Sequence, residues 1–334
     1  MNPFDPLLFL IIVISLAWTY DYYNGMNDAA NAIATTVSTR ALTPRQAIIL
    51  ARTMNILGAF LTTEVAKTMG KGVVDPASMD QLVVIAALAG ASGWSALCTF
   101  FGIPISITHA LVGGILGGAI LGKGFAVINL AGIQKIIIAM ILSPLAGFLG
   151  GFILMIVIFW LFRKALPAKV NKGCKYGQIV SAALMSLSHG SSDAQNAMGV
   201  ITAALLVGGF IDSFHVPVWV IIGSALFMGL GTSVGGWKVI KTMGMRLVKL
   251  KPVHGFTAEF SSAAVIMIST LLGAPVSTTH VISTSIMGVG STQRLSAVRW
   301  GIASNIVLTW LLTFPGSALM AIIVYWVLQI ILQP

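Results

Sequence analysis

The chain has 334 residues, of which 57% are hydrophobic and only 8% are charged, and its mean hydropathy is +0.95. Because a water-soluble domain carries about a quarter charged residues, this composition excludes a soluble protein and predicts an all-α polytopic membrane protein whose main partner is the lipid bilayer. The net charge of +10 does not indicate a nucleic-acid partner, since the basic residues concentrate between the apolar segments.

The first apolar segment, residues 7–39, is longer than one membrane crossing requires. As a single helix it would measure about 50 Å, against a hydrocarbon core of about 30 Å. The stretch from Tyr20 to Asp28 is polar and contains Gly25. We therefore predict that the helix breaks near Gly25 and exposes backbone groups to a ligand, because such breaks are tolerated where they line a cavity.

The end of this segment carries the pattern G-x-x-D-A-x-N-A, from Gly25 to Ala32. Asp28 and Asn31 lie three residues apart and therefore share one helical face. Carboxylate and amide oxygens suit a hard cation such as Na⁺, and an acid in hydrocarbon is costly enough to indicate a function. The alternative is that Asp28 caps a helix half or pairs with a buried base, although no Lys or Arg lies beside it.

The next apolar segments are 46–66, 82–101 and 104–122. Segment 46–66 places Asn55 in mid-membrane, where its amide could add a ligand. Segments 82–101 and 104–122 are short and almost contiguous. We predict that they form a re-entrant helical hairpin with its tip inside the protein, and two complete spans are the alternative.

The junction of these two segments reads G-x-P-x-S-x-T-H, at residues 102–109. Pro104 favours the start of a helix, so Ser106 and Thr108 would lie at a helix N-terminus. Hydroxyl groups there cap free N–H groups or, together with them, hold an anion.

The apolar segment 132–162 is followed by a basic stretch. We predict three regions: residues 1–162 form a first transmembrane repeat, 163–177 a basic cytoplasmic connecting loop, and 178–334 a second, inverted repeat. With 163–177 in the cytoplasm, most of the 19 Lys and Arg residues fall on the same side, which follows the positive-inside rule. We expect a multi-pass protein of the plasma membrane with both termini outside the cytoplasm.

The second half has apolar segments at 178–207, 216–236, 257–273, 274–290 and 301–331, and it repeats both motifs in the same order. Asp193 and Asn196 stand in a second G-x-x-D-A-x-N-A, at 190–197, and Ser277, Thr278 and Thr279 stand in a second G-x-P-x-S-x-T-H, at 273–280. The tetrapeptide KTMG also recurs, at 67–70 and 241–244, and its copies fall on opposite sides of the membrane in this topology. We therefore predict inverted repeats with broken helices, two re-entrant hairpins and one midplane site built from both halves.

Two facing helix N-termini with hydroxyl groups would form an uncharged cradle for a tetrahedral oxyanion. The alternative is that these hydroxyls are ordinary caps and interhelical hydrogen bonds, which two matched copies make less favoured. Four further residues have a less specific signal. Glu259 lies in an apolar run but has no acidic counterpart in the first half, whereas His109 and His280 follow the hydroxyls and His189 is the counterpart of Asn24. A lone histidine inside a membrane is more often a hydrogen-bonded spacer than a ligand.

The residues from Gly25 to Ala32 and the two P-x-S-x-T-H junctions resemble the inorganic phosphate transporter family, PiT, and the resemblance covers nearly the whole chain. It implies phosphate import coupled to a cation, Na⁺ in many members and H⁺ in others, without enzymatic activity or a cofactor. Similar members move sulfate, which is the alternative anion. A homodimer is left open.

The resemblance also implies roles for individual residues. As phosphate ligands we expect Asn27, Ser106, Thr108, Ser192, Ser277, Thr278 and Thr279. As Na⁺ ligands we expect Asp28, Asn31, Asp193 and Asn196. From their positions in the sequence, and for Glu259 also from the resemblance, we expect coupling or supporting roles for Asn24, Asn55, Glu259, His109, His189 and His280. Glu259 matches an acid of the family, whereas an acid expected early in the first half is replaced by Asn55, which leaves the number of coupled cations open.

The motifs contain neither Lys nor Arg, so bound cations would supply the positive charge that holds phosphate reversibly. Three other classes of function remain as alternatives: a pore, a membrane hydrolase and a scaffold that transports nothing. A hydrolase would need two close acids that activate water, and that reading leaves the S-x-T-H junctions without a role.

Overall fold

The computed structural model describes residues 4–73 and 80–332, and these residues fold into helices joined by short turns. The α-helices among them are α1 Pro6–Ser38, α2 Pro44–Gly58, α3 Glu64–Gly72, α4 Gln81–Phe101, α5 Ile107–Lys123, α6 Leu130–Leu161, α7 Pro167–Val207, α8 Val218–Val234, α9 Trp237–Lys241, α10 Pro252–Leu271, α11 Thr278–Ser291 and α12 Trp300–Leu332. This architecture confirms the predicted all-α fold.

Helix α1 runs without interruption, so the predicted break near Gly25 is wrong. Asp5 caps the start of the helix, and its carboxylate accepts a hydrogen bond of 3.0 Å from the N–H of Leu7. Gly25 instead allows α8 to approach, because a Cβ at this position would clash with the carbonyl oxygen of Met228. The polar residues of α1 therefore face neighbouring helices rather than an opened backbone.

Three other predicted segments differ from the structure. Segment 46–66 is divided into α2 and α3 by residues 59–63. The basic stretch 163–177 is largely helical rather than a loop, because α7 begins at Pro167. After segment 216–236, the chain bends by 63° and continues into α9 and a turn of π-helix, Thr242–Arg246.

The two G-x-P-x-S junctions form matching connections between antiparallel helices. Gly102 ends α4 and Gly273 follows α10, with φ angles of 74° and 67° in the left-handed region that glycine favours. Ser106 and Ser277 are the N-caps of α5 and α11 and accept hydrogen bonds of 3.3 and 3.2 Å from the third N–H of each helix. The predicted helix N-termini are therefore present, whereas the depth of each junction in the membrane stays a prediction.

The order of helices in residues 6–161 recurs in residues 167–332, including a short 3₁₀ turn before α6 and before α12. The last helix of each half packs against helices of the other half. Helix α6 packs on α11, and α12 packs on α4 and α5. Below, this arrangement is called the helix exchange. The inverted relation between the halves stays a prediction.

The described residues include four helices that are long and apolar enough to span a membrane: α1, α4, α6 and α12. The bent pair of α8 with α9 and the π-helical turn makes a fifth candidate. Large apolar side chains project outward from α6 and α12, and Leu145, Ile153, Leu311 and Leu319 are more than half exposed. These surfaces suit contact with lipid, and the protein is a membrane protein.

Candidate functional site

The middle of α1 and the middle of α7 are buried although they are polar, and the N-termini of α5 and α11 meet them there. Every residue from Ala29 to Thr36 and from Ser188 to Leu205 is buried. Each of these two helices brings one G-x-x-D-A-x-N-A motif to the interior. The predicted phosphate and cation ligands therefore lie in one region of the protein.

The two aspartates of the motifs converge on the N-terminus of α11. The Oγ1 of Thr278 lies 3.2 Å from Oδ2 of Asp28 and 3.1 Å from Oδ2 of Asp193. Thr279 donates a hydrogen bond of 3.2 Å to Oδ1 of Asp28. Both carboxylates are 1% exposed, so the hydroxyl groups of α11 replace the water that an exposed carboxylate would bind.

His189 lies beside both aspartates. Its Nε2 is 3.6 Å from Oδ2 of Asp28 and 3.5 Å from Oδ2 of Asp193. On the other side of the ring, Nδ1 lies 3.1 Å from Oδ1 of Asn55, whose Nδ2 donates a bond of 3.0 Å to Thr232. Asn55 is thus placed to orient the imidazole, and of the two roles that the sequence offered for it, ligand or supporting residue, this position corresponds to the supporting one.

The motif asparagines contact the opposite half of the chain. Asn31 donates hydrogen bonds to Thr278 at 3.3 Å and Thr279 at 2.9 Å, and Asn196 donates one of 2.9 Å to Thr108. Since Asn31 and Asn196 occupy matching motif positions, these contacts mirror each other. Both halves therefore contribute to one site.

Asn27 and Asn24 have different neighbours. Asn27 donates to Thr99 at 2.8 Å and to the carbonyl of Ile103 at 3.3 Å, which ties α1 to the first junction. Asn24 lies 3.5 Å from the backbone carbonyl of Asp193. Ser192 is buried next to Asp193.

Several oxygen atoms at this site have no hydrogen-bond partner among the described residues. They are the Oδ1 atoms of Asn24, Asn27, Asn31, Asp193 and Asn196. Buried acceptors without donors are costly, and amide and carboxylate oxygens are suitable ligands for a hard cation. One ligand atom each from Asp28, His189 and Asp193 lies within 4.8 Å of the others. The donor set fits a Na⁺ ion.

The helix N-termini suit an anion. The first N–H groups of α5 and α11 lack intrahelical carbonyl partners, and the helix dipoles place positive potential there. The hydroxyl oxygens of Ser106 and Ser277 are occupied as caps, but each hydroxyl hydrogen remains able to donate. No Lys or Arg with a described side chain is buried, so an anion here would meet helix dipoles and bound cations.

His109 and His280 lie behind the helix N-termini. Their rings are in edge contact, with centroids 4.8 Å apart, and they stack on Phe314 and Trp310 of α12. The structure places them in the contact between α5, α11 and α12, apart from the two aspartates.

Glu259 occupies a separate buried position between α1, α7 and α10. Its Oε1 accepts hydrogen bonds from Thr35, from Thr36 at 2.6 Å and from Gln178 at 3.2 Å, and its Oε2 accepts one of 2.5 Å from Ser181. This carboxylate is therefore well supplied with donors and lies about two helical turns from Asp28 along α1.

Sequence reasoning missed several polar residues that the structure places around the site. Tyr20 donates a hydrogen bond of 3.1 Å to the carbonyl of Ile107 and lies 3.5 Å from Nδ2 of Asn196. Asp21 is completely buried one residue later. Both residues lie in the polar stretch from Tyr20 to Asp28 inside the first apolar segment. An acid inside an apolar segment is costly, and this cost was the sequence signal that could have identified Asp21.

Comparison with known proteins gives one consistent result. Residues 24–321 match the model of the "Phosphate transporter family". The chain is 47% identical to a "Probable low-affinity inorganic phosphate transporter" of Bacillus subtilis, over 97% of this chain and 98% of the relative. A protein of the same description from Rhizobium meliloti is 42% identical over 96% and 97%. A solved structure described as "The sodium-dependent phosphate transporter" superposes with a TM-score of 0.87, at 28% identity, over 97% of this chain and 100% of the other.

Proposed function

Since this chain belongs to the phosphate transporter family, a family of transporters and not of enzymes, we propose that it imports inorganic phosphate together with Na⁺. One observation carries the proposal. Two buried carboxylates and a set of buried oxygens without donors face two helix N-termini at a site to which both halves contribute. The solved relative described as sodium-dependent supports the choice of cation.

Cations and phosphate would bind to this site cooperatively. Asp28, Asn31, Asp193 and Asn196 would hold Na⁺ through oxygen atoms. Phosphate would then accept hydrogen bonds from the α5 and α11 N-termini and from Asn27, Ser192 and the threonine hydroxyls, next to the bound cations. Because each ligand stabilises the binding of the other, neither is carried efficiently alone, which is the thermodynamic basis of coupling.

The transport step would be alternating access. The contacts of Asn31 with Thr278 and Thr279, and of Asn196 with Thr108, join the two halves at the site. Motion of one half against the other would break or remake these contacts and expose the site to one side at a time. The proposed setting is the plasma membrane, with both termini outside the cytoplasm and 163–177 inside.

Proton coupling is a second candidate for the same fold. The observation that favours it is the position of His189, within 3.6 Å of Asp28 and 3.5 Å of Asp193. An imidazole between two carboxylates can hold or release a proton near neutral pH. In that case protons on this cluster would replace Na⁺.

The test is uptake of radiolabelled phosphate into liposomes that contain the purified protein, with an imposed Na⁺ gradient, then an H⁺ gradient, and with sulfate as competitor. Na⁺-driven uptake that sulfate does not inhibit is the expected result. Uptake driven only by H⁺ would establish the second candidate. Inhibition by sulfate would show that the site also accepts sulfate, so that the anion is not phosphate alone. Absence of uptake by folded protein under both gradients would refute phosphate transport.

Asp28→Asn and Asp193→Asn then test the cation ligands. Each should abolish Na⁺-dependent uptake while the protein still inserts and remains folded, because the amide cannot supply the negative charge that a cation needs. Asp212→Asn, at an exposed position outside the site, is the control. Normal Na⁺-coupled uptake by both site variants would refute the assignment.

A further inference from the structure

Buried acids follow one face of α1 at regular intervals. Asp21 precedes Asp28 by seven residues, and Thr35 follows it by seven, which corresponds to two helical turns or about 10 Å in each direction. Thr35 donates to the Glu259 carboxylate. Asp21, the pair Asp28–Asp193 and Glu259 therefore form a line along α1, called here the acid row.

Asp21 is the member of the acid row with the fewest partners. Its side chain is 0% exposed, and neither carboxylate oxygen has a hydrogen-bond partner among the described residues. The Ser224 hydroxyl of α8 is its polar neighbour, and that hydroxyl is itself without a recorded partner. Glu259, by contrast, accepts hydrogen bonds from four side chains.

A buried carboxylate with a single hydroxyl beside it is strongly disfavoured in its charged form. Two means of neutralising it are available, a metal cation or a proton. A hard metal cation takes about six oxygen ligands, whereas the polar side chains placed near Asp21 are the Ser224 hydroxyl and, three residues along α1, the Asn24 amide. A proton needs no ligand cage, and the protonated carboxyl can donate to the Ser224 oxygen.

We propose that Asp21 is a proton-binding residue of the transport cycle. It is protonated in the packed arrangement of α1 and α8 described here, and it exchanges its proton with water on the predicted outer side when that side opens. The proton moves between the carboxyl oxygen and water, and no other bond changes. The inference rests on the proposed transport function and adds a proton site outside the phosphate and Na⁺ ligands.

The electrostatic surroundings of Asp21 are simple. Asp193 is an acidic neighbour of Asp21 from α7. Helix α8 contains no titratable side chain. The other titratable groups on Asp21's own helix turn and on the packed helices α2 and α4 are Tyr20, Tyr22, Tyr23, Cys98 and the exposed Arg45 and Arg52.

The first test reads protonation directly. Infrared difference spectra of the reconstituted protein, taken across a pH series without phosphate or Na⁺, should contain a protonated-carboxyl C=O band that is absent from Asp21→Asn and retained in Asp212→Asn. The band should disappear as pH rises and the acid ionises. A band at Asp21 that is absent at every pH, or constant at every pH, would overturn the proposal.

The second test reads transport. Na⁺-driven phosphate uptake by wild type and by Asp21→Asn is measured against outer pH, so that the protonation of phosphate itself affects both equally. The ratio of the two rates should change with pH, by up to about tenfold per unit where protonation of Asp21 limits the rate. A ratio that is constant with pH would contradict a role in transport.

These outcomes separate the two proposals. If wild-type protein took up no phosphate, the proposed transport function would fail, while the infrared titration would still decide whether Asp21 exchanges a proton. If uptake were normal and the C=O band did not titrate, the proton site alone would fail.

Discussion

At the scale of single residues, the Thr278 hydroxyl is shared between two buried carboxylates, those of Asp28 and Asp193. Its Oγ1 lies within 3.2 Å of one carboxylate oxygen from Asp28 and 3.1 Å of one from Asp193, yet a hydroxyl carries a single hydrogen. It can therefore donate to only one aspartate at a time. Thr279 supplies a second hydroxyl to Asp28, but the two negative charges of the buried pair stay uncompensated by any buried Lys or Arg with a described side chain. A bound cation or a proton would balance them, which is why substrate and cation binding are expected to depend on each other.

Replacing this hydroxyl tests that argument. Thr278→Val keeps the shape of the side chain but leaves both aspartates without their shared donor. We expect about a tenfold or larger loss of phosphate uptake, because removing a donor from buried charged acceptors costs about 1–3 kcal/mol. Thr284→Val is the matched control on α11, since the Thr284 hydroxyl bonds to carbonyls of its own helix. Equal uptake by both variants would contradict the role of Thr278.

The partner of His189 gives a second prediction at this scale. Asn55→Ala removes the oxygen that lies 3.1 Å from Nδ1 of His189 and leaves the ring free to turn. We expect the cation concentration for half-maximal uptake to rise by about tenfold or more, as is common when a group that orients a ligand is lost. Thr53→Ala, an exposed site on the same helix, should leave it unchanged. An unchanged value in Asn55→Ala would remove this orienting role.

The sequence predicted that the motif residues share one site, because acids and amides repeated inside apolar segments have a physical cost, and Asp28 and Asp193 do meet in the structure. It could not indicate that Asn55 contacts His189 or that Tyr20 reaches Ile107 and Asn196. Asn55 and His189 are 134 positions apart, Tyr20 and Asn196 are 176 apart, and Tyr20 and Ile107 are 87 apart. Their contacts depend on how distant helices cross, which the sequence does not indicate.

At the scale of elements, the prediction that failed most clearly concerned α1. A long segment with a polar centre and a glycine was interpreted as a broken helix. In the structure, the polar side chains are buried against α4, α7, α8 and α11, so the helix needs no break to satisfy them. Glycine in this segment reports a close helix crossing, and the sequence of one helix does not reveal which neighbour approaches it.

This interpretation of Gly25 can be measured. Gly25→Ala forces a methyl group against the Met228 carbonyl and should push α1 and α8 apart. We expect a loss of about 1–3 kcal/mol in stability, as for other overpacked interiors, seen as a lower temperature of thermal unfolding in detergent. Gly93→Ala is the control, because a Cβ there would lie 3.6 Å from the Met320 sulfur, an ordinary contact. Similar stability of both variants would show that α8 does not press on Gly25.

At the scale of the whole molecule, the repeated motifs predict two inverted halves, which stays a prediction, and the order of helices in residues 6–161 recurs in residues 167–332. The helix exchange was beyond sequence reasoning. Apolar helices such as α6 and α12 carry no signal for their partners, because lipid-facing and helix-facing sides are both made of Leu, Ile, Phe, Gly and Ala.

The orientation of the whole molecule is also testable. Two exposed positions are replaced one at a time, Asp212→Cys on the predicted outer side and Lys164→Cys on the predicted inner side, after Cys98 and Cys174 are changed to serine. A maleimide that cannot cross membranes should label position 212 in intact cells and position 164 only after the cells are opened. The reverse pattern would invert the proposed topology.

The helix exchange has a consequence for biosynthesis. A ribosome completes α4 and α5 long before it reaches α12, so the face of α5 that contains Gly113 and Gly117 stays without its protein partner during most of translation. Contacts this distant in the chain form slowly. The first half therefore completes its packing only after the final helix has entered the bilayer. Until then the chain is incompletely packed and is a potential substrate for quality-control proteases.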